Sequence, residues 1–363
     1  MDPKSRGRTR AFNKSTHRDK KNQGKGNRTG MGHSGTYDER QVRIDVYLDT
    51  VEHCTEYDYP VDPPVKLSYN VEPMLTKFIL GKVPRENLAQ IHVRNMDCLE
   101  LTMKMKLNSE DLTQTPTPSE DMSGDLVENQ KKLLLILASD VKQGGGVESG
   151  ASAQEEHIWR CTNAHQVSDS RMYRLGYNEG IYYPTVHILK DSNYEYLEKA
   201  YPISCAVIAA LRNPKVSGNG SSQTYARDTD LEVMKEKVEF VFKMAMHYGH
   251  QYLILGALGC GAFNNPPFAV AKLFHEAIQK YGKYFKKIAF AVLARNESDQ
   301  VNFNAFKSLL NLNSGGGDLK EVQSEKIVSH TLPVSTTKSL VLNSVKDDQV
   351  EISFEEESKE ESK

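Results

Sequence analysis

The sequence has no run of apolar residues approaching the ~20 that a membrane-spanning helix needs, so a spanning protein is not expected. Its first residues hold no apolar stretch like the centre of a secretory signal, and their Lys and Asp content argues against a mitochondrial presequence. Cysteine is scarce: Cys54, Cys98, Cys161, Cys205 and Cys260 are scattered, odd in number and without CxxC spacing. A disulfide framework and a zinc site are therefore not expected, and a reducing intracellular compartment, cytoplasm or nucleus, is the simpler inference. Cys161 and Cys205 lie in apolar stretches, where a small core residue is the expected role. The chain also lacks net charge, −2 over 363 residues, so any electrostatic bias is local.

That local bias sits at the two ends. Residues 1–30 carry ten Lys or Arg against two Asp or Glu, and residues 346–363 carry eight acidic residues against three Lys. With few apolar residues at either end, both are expected to be disordered. Residues 1–40 form a basic arm, read either as a solvated tail or as a nucleic-acid contact. Residues 313–363 form an acidic tail beginning at a Gly-rich linker. Between them, 41–90 is expected to be an extension packed on the core, with the alternation Val42, Ile44, Val46, Leu48 consistent with a short edge strand. Residues 91–312 carry the main domain. A polar segment with two prolines, 108–130, interrupts it as a surface insertion.

The centre of the chain is 131–165. Leu133 to Ala138 is an uninterrupted apolar run, as expected for a strand covered on both faces. Gly144, Gly145 and Gly146 follow; three glycines permit positive φ and let a ligand lie on backbone N–H groups. A helix is expected from near Ser152, which has capping-box spacing to Glu155. Glu155 and Glu156 then fall in the first turn beside the glycines. On their own, three glycines are more often a flexible loop, and two glutamates opening a helix are more often dipole chemistry.

Further along, the chain alternates strand and helix. Ile91-His92-Val93 is a short strand, and Asp97 can cap a helix through Leu99 and Met103. Val186–Leu189 and Ser204–Leu211 are strands, and 215–227 is a Gly- and Ser-rich loop. Leu231, Met234, Val238, Val241, Ala245 and Tyr248 mark one face of an amphipathic helix. Tyr252–Leu255 is a strand that runs into a second glycine loop, with Gly256, Gly259 and Gly261. Asn264 or Asn265 can cap the helix that follows, which has proline in its first turn and runs to about Tyr281. Ile288–Ala294 is the last clear strand. This alternation predicts an α/β fold with ligand loops at one edge of the sheet.

The ordered combination is more specific than its parts. A glycine triplet, seven residues, then Gln154-Glu155-Glu156 resembles the signature of poly(ADP-ribose) glycohydrolases. GGGVESGASAQEEHIWRCT resembles the bacterial-type branch, with its Ala-Gln-Glu-Glu and following Arg. GALGCGAFNNPP resembles that family's late Leu-Gly-Ala-x-Gly-Cys-Gly-x-Phe-x-Asn loop. Tyr182-Tyr183-Pro184 to Lys190 resembles its Tyr-x-Pro-x-Val stretch. The resemblance covers roughly 91–310. It implies a macrodomain-like α/β/α sandwich with a mixed sheet of about six strands.

It also implies hydrolysis of ribose–ribose bonds in poly(ADP-ribose), releasing ADP-ribose. Glu156 would be the general acid and then the base, Glu155 would fix ribose hydroxyls, and Gln154 would orient the loop. Gly144, Gly145, Gly146 and Val147 would shape the distal-ribose side. Gly256, Gly259, Cys260, Gly261 and Ala262 would hold the diphosphate, with Phe263 packing by the ligand. No cofactor or metal is implied. The partners would be the polymer and ADP-ribosylated proteins, and the chain is expected to be a monomer away from membranes. Two departures stand out. Ile136-Leu137-Ala138-Ser139 occupies the place of Asn-Phe-Ala-Ser or Asn-Phe-Ala-Asn, and Gln143 that of the proline before the triplet. The competing readings are a non-catalytic reader of ADP-ribose and a hydrolase of mono-ADP-ribosylated protein.

Overall fold

The computed structural model describes residues 37–69, 85–105 and 132–310, which all lie in one compact unit. The expected insertion, most of the basic arm and all of the acidic tail lie outside the described residues.

In chain order the elements are α1 (Tyr37–Glu56), β1 (Val65–Ser68), β2 (Gln90–Arg94), α2 (Cys98–Lys104) and β3 (Lys132–Leu137). Then come α3 (Gln154–Cys161), α4 (Ala164–Val167), β4 (Glu179–Lys190) and β5 (Tyr196–Ile208). The small hairpin β6 (Val216–Ser217) and β7 (Thr224–Tyr225) precedes α5 (Asp228–His247). The chain continues through β8 (Tyr252–Leu255), α6 (Pro267–Tyr281), β9 (Lys287–Ala291) and α7 (Glu297–Leu310).

Seven strands, one more than expected, form a mixed sheet in the order β1-β4-β5-β3-β8-β9-β2. The run β5-β3-β8-β9-β2 is parallel, while β1-β4-β5 is antiparallel. Strand β3 is central: Leu133 sits opposite Ser204 on one side and Leu253 on the other. Successive side chains of a strand point to opposite faces. Accordingly Leu133 and Leu135 join the layer packed under α5, α6 and α7, and Leu134 and Ile136 the layer packed under α1, α2 and α3. The result is the α/β/α sandwich read from the sequence. Pro184 lies in β4 where the register against β5 shifts between Tyr183 and Val186, a position that tolerates its missing N–H.

Helix α2 begins where Asp97 predicts it, with the carboxylate accepting from the N–H groups of Leu99 and Glu100. Strands β4 and β5 start well before the expected bounds, because they pair with each other as a long hairpin, and β5 ends at Ile208, three residues short of the expected Leu211. The last strand stops at Ala291, three residues short of the expected end.

The 41–48 segment is a correction: it belongs to α1, which starts at Tyr37 and so crosses the boundary expected at residue 40. The apolar alternation does not mark a sheet face, since Val42 and Leu48 are largely exposed. The buried positions are Tyr47, Thr50 and Cys54, at helical spacing. The contacts that seat them are mostly polar. Lys190 is wholly buried and its Nζ donates to Val46 O (3.2 Å), Asp49 Oδ2 (2.7 Å) and Thr50 Oγ1 (2.7 Å). Thr50 in turn donates to Arg160 O at 2.5 Å, tying α1 to α3.

Candidate active site

Strands β5, β3 and β8 are parallel neighbours, so the loops after all three leave from one edge of the sheet. After β3, the chain turns through Gly144 (φ 68°) and Gly145 (φ 54°), conformations that side chains rarely adopt. A β-carbon on Gly144 would stand 2.6 Å from the Trp159 indole. Glycine is therefore required here both by backbone shape and by what lies on it.

The triplet's N–H groups are taken by the protein itself, two of the three by carboxylates. Gly144 N–H donates to Glu155 Oε1 (3.1 Å), Gly146 N–H to Glu156 Oε1 (2.8 Å), and Ser139 N–H to Glu155 Oε2 (2.7 Å). Gly145 N–H goes to Lys142 O. The expectation that a ligand would lie on these N–H groups is thus corrected. The seven-residue spacing brings the first turn of α3 back onto the loop, and Glu155 and Glu156 fill the anion site that the loop creates.

Two further expectations change. Helix α3 begins at Gln154 with Ala153 as its cap residue and no side-chain cap, so Ser152 does not cap it. The loop is held from within the helix instead, by Glu155 and Glu156. Gln154 does not orient the glycine loop. Its Oε1 accepts from Leu137 N–H (2.8 Å) and its Nε2 donates to Leu135 O (2.9 Å). It completes the edge of β3 where the pairing with β8 stops at Leu134, and so fixes α3 to the sheet.

Both glutamates are buried. Burial pushes the Glu155 carboxyl up to about 8; the charge of Glu156 adds to this, and the two backbone N–H bonds work against it. The phenols of Tyr173 and Tyr183 close Glu155 in; burial raises both, and the Glu155 charge adds to the shift. Glu156 is differently placed. Its Oε1 is held by Gly146, and its buried Oε2 has no hydrogen-bonding partner. Of the two residues at the departures, Ile136 is wholly buried in the apolar layer below α3, and the Gln143 side-chain oxygen is buried without a partner.

The loop after β8 is fixed by Asn265. Its Nδ2 donates to Leu211 O (2.7 Å) and Gly259 O (3.2 Å), and its Oδ1 accepts from the Tyr225 hydroxyl. Gly259 (φ 75°) leaves no room for a β-carbon, which would meet Ala210 at 2.4 Å. Neither Asn264 nor Asn265 caps α6; Pro266 holds that position, with Pro267 at the start of the helix. Cys260 is buried and its thiol is raised by burial, as befits a core residue. Gly261, Ala262 and Phe263 lie at the exposed end of the loop or half-buried, and among the described residues their N–H groups meet no protein acceptor. This loop, unlike the triplet, leaves consecutive N–H groups for an anion.

The sequence reading missed Tyr173 and Arg212, and gave Arg160 no role beyond its place in the motif. Arg160 is fully buried and donates to Ala151 O (2.8 Å) and the Tyr194 hydroxyl (3.1 Å), fixing the turn between triplet and helix. Its place after the Glu pair was the available signal. Among the described residues no helix is long and apolar enough to cross a membrane, and no three His, Cys, Asp or Glu side chains group to hold a metal.

Fold and site together define a macrodomain-like α/β/α sandwich: a mixed sheet between helices, with a buried carboxylate pair and two glycine loops at one edge. Residues 32–183 match the family model of the microbial-type PARG (poly(ADP-ribose) glycohydrolase) catalytic domain, a span that includes α1, the triplet and Gln154-Glu155-Glu156. The resemblance seen in the sequence is therefore borne out, and that family hydrolyses the O-glycosidic bonds of poly(ADP-ribose). Among solved structures the chain is similar to poly(ADP-ribose) glycohydrolase from Thermomonospora curvata, at 20% identity over 74% of this chain and 100% of that one, with a TM-score of 0.57. The same enzyme bound to the inhibitor ADP-HPD gives 20% identity over 74% and 99%, TM-score 0.54. The enzyme from Deinococcus radiodurans in complex with ADP-ribose gives 20% identity over 68% and 94%, TM-score 0.51. At this identity these likenesses show the fold. No curated protein matches the chain.

Proposed function

We propose that the chain is a poly(ADP-ribose) glycohydrolase that releases ADP-ribose, with Glu156 as its acid and base. The observation that carries the assignment is the asymmetry of the glutamates. Both oxygens of Glu155 hold backbone N–H groups, whereas one oxygen of Glu156 is held and the other is free. An acid catalyst needs that combination of fixed position and one unengaged oxygen.

Glu156 Oε2 delivers its proton to the glycosidic oxygen as the C–O bond breaks, and the leaving ribose departs as an alcohol. The remaining ribose passes through an oxocarbenium-like transition state. Glu156, now ionised, takes a proton from the water that adds to the anomeric carbon, which restores the acid. Glu155 holds the two ends of the loop after β3, at Ser139 and Gly144, in place for this step. The free N–H groups at Gly261 to Phe263 receive the diphosphate. The partners on this reading are the polymer and ADP-ribosylated proteins, with the chain acting as an intracellular monomer. The basic residues 1–30 would add only a salt-sensitive contact to nucleic acid.

The test is incubation of the purified protein with poly(ADP-ribose), following free ADP-ribose by chromatography. The wild type releases it, and Glu156→Gln loses about 10²–10⁴-fold in turnover while still binding ADP-ribose in calorimetry. Binding without release by the wild type would make the protein a reader. Release only from mono-ADP-ribosylated protein would narrow the substrate, and near-normal turnover of Glu156→Gln would remove the assigned acid.

A further inference from the structure

Arg212 follows β5 and touches both other ligand loops. Its guanidinium carbon lies 4.0 Å from the centre of the Phe263 ring, over one face of it. Its Nε donates to Asp140 Oδ1 at 3.2 Å, and its Nη2 donates to the same oxygen. Asp140 directly follows Ser139, whose N–H holds Glu155. Backbone bonds reinforce the arrangement. Asn213 N–H donates to Phe263 O (2.9 Å), and Asn264 Nδ2 donates to Asn213 Oδ1 (2.7 Å). Arg212 is thus the one side chain among the described residues seen to bridge the aromatic of the late loop and the segment that anchors the glutamates.

A flat guanidinium can stack on a ring through its face while its edge binds a carboxylate; an ammonium cannot do both. Arg212 and Asp140 are each about two-fifths exposed, at 44% and 38%. An isolated pair so exposed adds little to stability, so stability alone does not account for the three-loop arrangement.

We infer that Arg212 is a positioning residue for ADP-ribose: it sets the plane of the Phe263 ring and keeps that ring in register with the Glu155–Glu156 loop. The inference rests on the proposed function for its substrate. Arg212 performs no chemistry and acts through Phe263. Its loss therefore weakens capture of the ligand more than it slows the bond-breaking step.

The experiment compares the full-length wild type with Arg212→Ala, Arg212→Lys, Phe263→Leu and the double variant Arg212→Ala/Phe263→Leu. It measures kcat and KM on poly(ADP-ribose), ADP-ribose affinity by calorimetry, and Tm. Arg212→Ala is expected to raise KM and weaken ADP-ribose binding by about tenfold, the scale of a small misplacement of a contact group, with kcat within threefold (~) of wild type. Arg212→Lys, which keeps the charge but not the stack, recovers only part of the affinity. In the Phe263→Leu background, loss of Arg212 has little further effect, as expected if it acts through the ring. Unchanged affinity in Arg212→Ala would overturn the inference, as would full additivity of the two changes. A fall in Tm with kcat and KM impaired alike would also overturn it, by making the residue structural. A wild type that binds ADP-ribose but releases none would defeat the proposed function alone, and the affinity series would still decide the role of Arg212.

Discussion

Gly145 stands directly against Glu156: a β-carbon built on the glycine would lie 2.4 Å from the Glu156 Oε1 and 3.0 Å from the Glu155 Oε2. The backbone there has φ 54°, which side chains rarely adopt. Gly145→Ala is therefore expected to push the glutamates out of place. Turnover should fall at least about 10²-fold, as when a reacting group is displaced by about 1 Å. Assay of polymer hydrolysis beside ADP-ribose calorimetry checks this, and full activity would mean that the glycine loop does not position Glu156.

Glu155 should make the protein less stable as pH rises. Its carboxyl is pushed up to about 8 in the folded protein, from an ordinary value of 4.5, chiefly by burial. Between those values the folded state holds a proton that the unfolded state has lost, so stability falls with rising pH across that window and levels off above it. Glu155→Gln should remove much of this slope, though one amide N–H will then face a backbone donor. Denaturant titrations at pH values spanning the window provide the check; an identical slope in the variant would assign the dependence to another group.

Asp97 has two tasks. It caps α2, and its Oδ2 lies 3.1 Å from His157 Nε2, next to Glu156 in the chain. Burial works against the charge of each partner, but their mutual contact outweighs it: Asp97 is held below its ordinary range and His157 well above its own. The His157 contribution is complete below 6.5 and lost as pH rises through its folded value; that of Asp97 is complete above 3.8 and lost as pH falls through its folded value. Asp97→Ala is expected to cost about 3–5 kcal/mol between those pH values, as for removal of one partner of a buried pair. Asp97→Asn, which keeps the cap, should cost less. Equilibrium unfolding of both variants measures the difference, and an Asp97→Asn variant as stable as the wild type would mean that the ion pair contributes nothing.

Lys190→Met should loosen α1. The substitution keeps a buried aliphatic stem but removes three hydrogen bonds to Val46, Asp49 and Thr50. The expected cost is about 1–3 kcal/mol, mainly from buried groups left without a partner. Faster amide exchange confined to α1 would identify the helix as the part released. Exchange unchanged in α1 would show that the apolar contacts of Tyr47 and Cys54 suffice to hold it.

The elements that the sequence disclosed are those whose pattern is local. The apolar run of β3 needs only two covering layers, and α5 shows its buried face at helical spacing. Tyr252–Leu255 ends at a glycine and stands as read. The segment 41–48 shows the limit. Its alternation of apolar residues suits a strand, but Lys190 and Arg160, more than a hundred residues away, provide polar partners for a helix face instead. Ser152 shows another: capping-box spacing is present, but the helix starts at Gln154 after Ala153 with no side-chain cap, and its glutamates turn to the N–H groups of the preceding loop. Helix α7 went unread, although its Phe306 packs against Phe274 and Phe290 in the core.

The α/β class, the two glycine loops, the Gln154-Glu155-Glu156 unit and the family these resemble are legible in the chain alone, because residue type and short spacing carry that information. What each part does is set by contacts between distant segments. Parallel pairing of β5, β3 and β8 brings three distant loops to one edge. The first turn of α3 folds back so that the triplet's N–H groups hold the glutamates and not a ligand. That leaves one oxygen of Glu156 unengaged and the open N–H groups on the other loop. Hydrogen-bond donors and acceptors are assigned by who arrives within about 3 Å, and for Glu155, Gln154 and Arg212 those partners come from elements that no sequence period connects.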